Sequence, residues 1–428
     1  MDIAMTAHSR YLFAGAILVT TALAATGCSG STEPDSSGPV ELRMAVQAEV
    51  AGSFTATTAK YTEAHPDVTF QIDEVPVTTY GEVLRTQLLG GNAPDLFQVS
   101  GGSGLPESLI PFAEAGYLVP LTGTPAEELI SDSARPLFEA DGKVYAQPLD
   151  LQPWVNIVND DAFAQAGLTS ATDLADVLSN CEAASASGKS LFNLAGSAVT
   201  NLANAAVQIA ASRVYVDEPD WNARRTAGEV TFAGDEGWER TLETIVELHD
   251  AGCLQPGVEA GTPADIAKQV SSGSSVGFLS VGSTIGQIAG LNPAVTFSAQ
   301  VFPGDEAEDT RLSLSATGAL AVNSAADSAA QAAALGFLAW LAEPVNSDAY
   351  AQLSGNISIT ATADSELPKQ YAALAPYIAD PELNEPVASA FWPNSEVYTS
   401  LGTGIQGLLT GQTTVEAVLE TMDAAWDR

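Results

Sequence analysis

Positive charge is what this chain has least of. Lysine and arginine together number 15 against 53 aspartates and glutamates, a formal net charge of −38 over 428 residues. Such a surface excludes nucleic-acid binding and adhesion to anionic membranes, both of which need clustered cations. It also argues against a phosphorylated or dicarboxylic ligand, since Arg and Lys are the groups that grip those. Histidine is scarcer still. Of the three, His65 closes a helical stretch and His249 falls on a helical core spacing, so no metal cluster can be assembled from them. Long apolar runs are missing after the N-terminus, which leaves no second membrane-spanning candidate. The acidic excess itself reads as a solvated extracellular surface.

What is present begins with an address. Arg10 precedes an apolar run from Tyr11 to Ala25, followed by Thr26-Gly27-Cys28. The run is too short to span comfortably and ends in small residues, so residues 1–27 read as an export signal peptide. Its ending resembles a bacterial lipobox, with Ala25 standing where Leu is usual. That resemblance implies that Cys28 becomes the lipid-bearing first residue of the mature chain. Residues 28–39 then form a flexible tether: Ser29 to Pro39 reads SGSTEPDSSGP, with an r.m.s. reach of roughly 20 Å. Export leaves Cys181 and Cys253, which form either a disulfide or two separate buried thiols.

The length of the remaining chain suits two to three domains, and 46% hydrophobic residues suffice for full cores. Val40–Val46 reads as a strand, and a helix runs through Tyr61 and Ala64. Val68–Ile72 is a second strand. Tyr80, Val83, Leu84 and Leu88 mark one face of a second helix, and Leu96–Val99 forms a third strand. This β-α-β-α-β order predicts an open α/β sheet. Later come a helix from Leu174 to Ala184, a strand at Leu191–Leu194, and a helix carrying Trp238, Leu242, Ile245 and His249. A strand follows at Val276–Ser280, another at Leu314–Val322, then an Ala-rich helix from Ala325 to Leu341.

Two strings imitate catalytic motifs. Gly273-Ser274-Ser275-Val276-Gly277 fits G-x-S-x-G, but a strand follows the serine where a nucleophile elbow needs a helix. Gly402-Thr403-Gly404-Ile405-Gln406-Gly407 fits G-x-G-x-x-G, yet it lies inside a helical stretch with no strand before it. Neither carries chemistry, and no catalytic residue, metal or cofactor is expected.

The organising stretch is Asp141–Leu168. A turn at Asp141-Gly142 leads to Val144-Tyr145-Ala146, then Pro148, then a second β-prone run, Trp154–Asn159, with a helix start behind it. It reads as a strand leaving one sheet and entering another. With Gly142-Lys143, Tyr145, Pro148, Asn159, Phe163 and Ala166-Gly167-Leu168 at family spacing, it resembles the first hinge segment of the solute-binding proteins of ABC importers, family 1. Val158 stands where that family usually has Tyr. Residues 65–70, 90–97 and 112–121 resemble further family segments in order. Ala388-Ser389-Ala390-Phe391-Trp392 resembles the segment that supplies a sugar-stacking Trp in the maltodextrin-binding branch. Val99, Ala198 and Thr284 stand where that branch carries aromatics.

The resemblance implies an α/β, two-lobed periplasmic-binding-protein-like fold with mixed sheets, hinge strands and an interlobe ligand cleft. Lobe one would be residues 40–150 and 303–353, and lobe two 151–302 and 354–428. The second crossing is expected at Phe297–Phe302 and a third near Gly355. Carried over by position, the ligand-binding candidates are Glu49, Ser100, Ser103, Asp150, Gln152, Trp154, Ser197, Ser283, Asn356 and Trp392. Read from the residues alone, Trp154 suits packing as well as binding, and Trp392 is either a ligand contact or a packed corner ahead of Pro393. The implied function is capture of a neutral carbohydrate by a monomeric lipoprotein on the outer face of the cytoplasmic membrane, for delivery to an ABC permease. Two alternatives stand beside it: binding of a polyamine or metal cation on the same fold, and an extracellular carbohydrate-active enzyme.

Overall fold

The computed structural model describes residues 38–132, 134–316, 318–362 and 365–428. The signal segment, Cys28 and the tether through Ser37 lie outside the described residues.

The first sheet grows from Val40–Gln47, where Leu42, Met44 and Val46 alternate inward and are fully buried. This strand pairs in parallel with Val68–Val75 on one side and Leu96–Ser100 on the other. Parallel neighbours need crossovers, supplied by the helices Ala51–Ala64 and Val77–Gly90. The second helix ends at Gly91, whose φ of 68° is the left-handed cap that glycine adopts without penalty. Gly318–Val322 and Gln147–Pro148 complete the sheet antiparallel. Phe54, Tyr80, Phe97 and Phe337 fill its core.

The second sheet is built on Asp150–Asn159. Leu312–Ser315 and Ser275–Val281 flank this strand, with Asn384–Glu385 and Ser190–Asn193 outside them. Phe297–Gln300 and Ile357–Ser358 pair with its two ends. A separate core lies against it, with Trp221, Phe232, Trp238 and Trp392 at its centre. Both sheets mix parallel and antiparallel pairs, as expected of a periplasmic-binding-protein-like α/β fold.

Two expectations need correction. Phe297–Gln300 is no crossover: it pairs with Asn156–Asn159 inside the second sheet, where Phe297 and Ala299 are buried. The run Leu314–Val322 is not one strand. Leu312–Ser315 belongs to the second sheet and Gly318–Val322 to the first, so the chain returns between Ser315 and Gly318. Residues 303–315, assigned to lobe one from sequence, therefore include a strand of the second sheet. The first crossing lies between Pro148 and Asp150. After the helix Pro344–Ser354, whose Tyr350 packs in the first core, the chain crosses again to Ile357.

Candidate functional site

Open α/β sheets present ligands at the carboxyl ends of their parallel strands. Two of those ends are Gln47 and Ser100. The Gln47 backbone N–H donates to Gln98 Oε1 at 3.0 Å, which ties the strand ends together. Gln47 Nε2 and Ser100 Oγ both point at Glu107 Oε1, at 3.4 and 3.5 Å. Burial raises the Glu107 carboxyl above its ordinary value; its own backbone N–H and the Ser100 hydroxyl work the other way. That carboxylate in turn helps raise the phenol of Tyr398, which belongs to the second lobe. Glu107 ends the loop whose Ser103 N–H reaches Ala390 O, beside the contact between the lobes.

The loop between Ser100 and Glu107 is glycine-rich because it touches the other lobe with its backbone. A Cβ on Gly102 would run into the Ala390 carbonyl oxygen, and one on Gly104 into that of Ser389. Between them the Ser103 N–H donates to Ala390 O at 3.1 Å. The partner segment, Ala388–Phe391, bridges the two cores: Ala388 packs in the second lobe's core, where Asn222 Nδ2 donates to Ala388 O, and Ala390 packs in the first lobe's core.

Nearer the hinge, Gln152 Nε2 donates to Ser283 Oγ at 3.2 Å, joining two of the candidates. Asp150 and Asn356 also meet, but in another role. Asp150 accepts from Ser354 Oγ at 2.6 Å and Asn356 Nδ2 at 3.1 Å, and both residues are only 5% exposed. They clasp the first crossing to the third. Burial raises the Asp150 carboxyl, and these two donors offset part of the rise. Asn356 Oδ1 is buried without a hydrogen-bond partner.

Both tryptophans are packed. Trp392 is fully buried, its ring centroid 5.8 Å from Phe232, 6.0 Å from Trp238 and 6.2 Å from Tyr398. The aromatic cluster that makes the second lobe's core has absorbed the ring expected to stack on sugar. Trp154 lies mid-strand opposite Ser313 and Val281, in the same core. Glu49 is exposed and its Oε2 accepts from the Val77 N–H at 3.0 Å, while exposed Ser197 donates to Gly261 O at 2.9 Å. Ser100, Ser103, Gln152 and Ser283 remain at the junction of the lobes, and Gln47, Glu107 and Tyr398 join them. The sequence signal for Glu107 was an acid ending a glycine-rich loop just past a strand.

Among the described residues, no group of three or more His, Cys, Asp or Glu is arranged to hold a metal ion. A recess of about 640 Å³ lies on the outside of the second lobe, lined by Leu178, Glu243, Val246 and Glu247 among others, and shares no residue with the junction. Cys181 and Cys253 are bonded, with Cα atoms 4.8 Å apart. No described helix is long and apolar enough to cross a membrane.

The chain resembles solved solute-binding proteins over its full fold. RafE in complex with raffinose aligns with a TM-score of 0.75 at 18% identity, covering 91% of this chain and 99% of its own. A chitin oligosaccharide binding protein aligns at 0.75 and 20% identity, covering 91% and 98%. A sugar transporter protein from Bacillus licheniformis in complex with stachyose aligns at 0.71 and 18%, covering 90% and 98%. At these identities the likeness is one of fold. No curated protein sequence matches significantly. The family description "bacterial extracellular solute-binding protein" matches residues 56–383. On that match the chain belongs to the bacterial extracellular solute-binding proteins.

Proposed function

We propose that this protein is the receptor of an ABC importer and captures a neutral carbohydrate, a monosaccharide or short oligosaccharide, between its lobes. The observation that carries this is the chemistry of the junction. Gln47, Ser100, Glu107, Gln152 and Ser283 offer amides, hydroxyls and one carboxylate, and no Lys or Arg is paired with them among the described residues. Amide, hydroxyl and carboxylate groups complement sugar hydroxyls. The structural relatives described as bound to raffinose and stachyose add support from the fold. Closure of the lobes on the sugar requires that it bind the closed arrangement better than the open one, by bridging both. The closed form then docks on the permease.

A thermal-shift screen over sugars, polyamines and divalent metals tests the reading, because a ligand that binds only the folded state raises the melting temperature. A neutral sugar should give the largest rise; a shift with spermidine or a metal alone would replace the reading with the cation alternative. The chain should be anchored through Cys28, so C28S should move the protein from the membrane to the soluble fraction. A C28S protein that stays in the membrane fraction would count against the anchor.

A further inference from the structure

We infer that Glu107 is the specificity-determining residue of the first lobe, its carboxylate accepting two neighbouring hydroxyls of the bound sugar. The inference rests on the carbohydrate reading and names the group that grips the ligand.

An ionised carboxylate accepts only, with about four lone-pair sites on two oxygens. At Glu107 the side-chain donors reach Oε1 alone, and both bonds are long, 3.4 Å from Gln47 and 3.5 Å from Ser100. No lysine, arginine or histidine pairs with it among the described residues. A buried carboxylate with weak donors and no cation is costly unless something else supplies strong donors.

The two titratable groups that face it are committed elsewhere. Tyr80, from the helix Val77–Gly90, has its hydroxyl between the carbonyls of Ala45 and Gln98, at 3.1 and 2.7 Å. Tyr398, from the helix Ser395–Leu409, has its hydroxyl on Thr200 O at 3.1 Å and on Asn204. Burial raises both phenols and the Glu107 charge adds to the rise, without a hydrogen bond to either. Gly81 completes the setting: a Cβ there would come within 2.6 Å of Pro106 Cβ and 2.9 Å of Glu107 Oε2. The bare helix face lets the loop seat the carboxylate at the lobe junction. A vicinal diol presents two O–H donors at a spacing that a carboxylate's two oxygens can accept together, and such charge-assisted bonds are the strong ones.

The test is calorimetric titration of the full mature chain and its E107Q variant with raffinose, maltotriose and chitotriose, at pH 5 and pH 7.5, with melting curves. The carboxylate acts ionised, and its pKa is raised by burial. Parent affinity should therefore be weaker at pH 5 than at pH 7.5, while E107Q should lose the pH difference. At pH 7.5 E107Q should bind roughly tenfold to a hundredfold more weakly, for one lost charge-assisted pair. Its melting temperature should be unchanged or higher, because a costly buried charge is gone. A parent that binds one of these sugars while E107Q binds it equally overturns the assignment alone. A parent that binds none of them overturns the carbohydrate reading and the assignment with it. If E107Q does not fold, the parent's own pH profile decides: affinity equal at both pH values overturns the assignment.

Discussion

Trp392 shows how one residue type can serve two incompatible roles from the same local sequence. A Phe-Trp pair before a proline reads alike whether the indole faces a cleft or a core. The deciding neighbours, Phe232 and Trp238, lie more than 150 positions away in the chain. Burial among aromatics makes Trp392 a stability residue. W392A should cost about 3–5 kcal/mol, the usual range for a core Trp truncated to Ala, and a lowered melting temperature should show it. A variant that melts like the parent would return the indole to the cleft. Glu385 carries a second residue-scale expectation. Partial burial pushes its carboxyl up to about 7, with Arg311 pulling it part of the way back. The folded protein thus holds this proton to higher pH than the unfolded chain does. Its contribution favours folding at low pH and is lost as pH rises from the ordinary carboxylate range through about 7. E385Q should therefore melt above the parent at pH 8 and level with it near pH 4. An equal difference at both pH values would mean that the charge is not the cause.

Among the elements, those with local signals were legible in the sequence. Strands Val40–Gln47, Val68–Val75 and Leu96–Ser100 alternate or run apolar between clear breakers, and their helices carry one apolar face each. The hinge strand was legible from the Pro148 break and the long β-prone run after it. Sheet membership was not. Leu312–Ser315 and Gly318–Val322 are both apolar and nearly contiguous, and only hydrogen bonding to distant strands assigns them to different lobes. The same holds for Asp150 and Asn356, a hinge clasp between residues 206 positions apart. The two cysteines illustrate the intermediate case: composition left a disulfide and two free thiols open, and folding brings the pair together. The bond ties the helix Leu174–Ala186 to the segment behind the helix Glu236–Asp250. With 72 positions between its ends, it should contribute roughly 4 kcal/mol in the chain-entropy model. Thiol counting on denatured, unreduced mature protein should find neither cysteine free, and two free thiols would reject the bond.

At the scale of the whole molecule, two sheets with separate cores are joined by short crossings at Leu149, between Ser315 and Gly318, and at Gly355. Few residues need to change backbone angles for one lobe to turn against the other, as the proposed closure requires. The Gly102–Gly104 loop lies on Ser389–Ala390. Scarce cations and a polar junction support the proposed uncharged polyhydroxylated ligand. Calorimetric titration of the mature parent with the sugar that most raises its melting temperature tests this most directly, with spermidine and divalent metals titrated alongside. The account predicts saturable binding of the sugar at one site per chain and no saturable heat from the cations; saturation by spermidine or a metal with none by any sugar would contradict it.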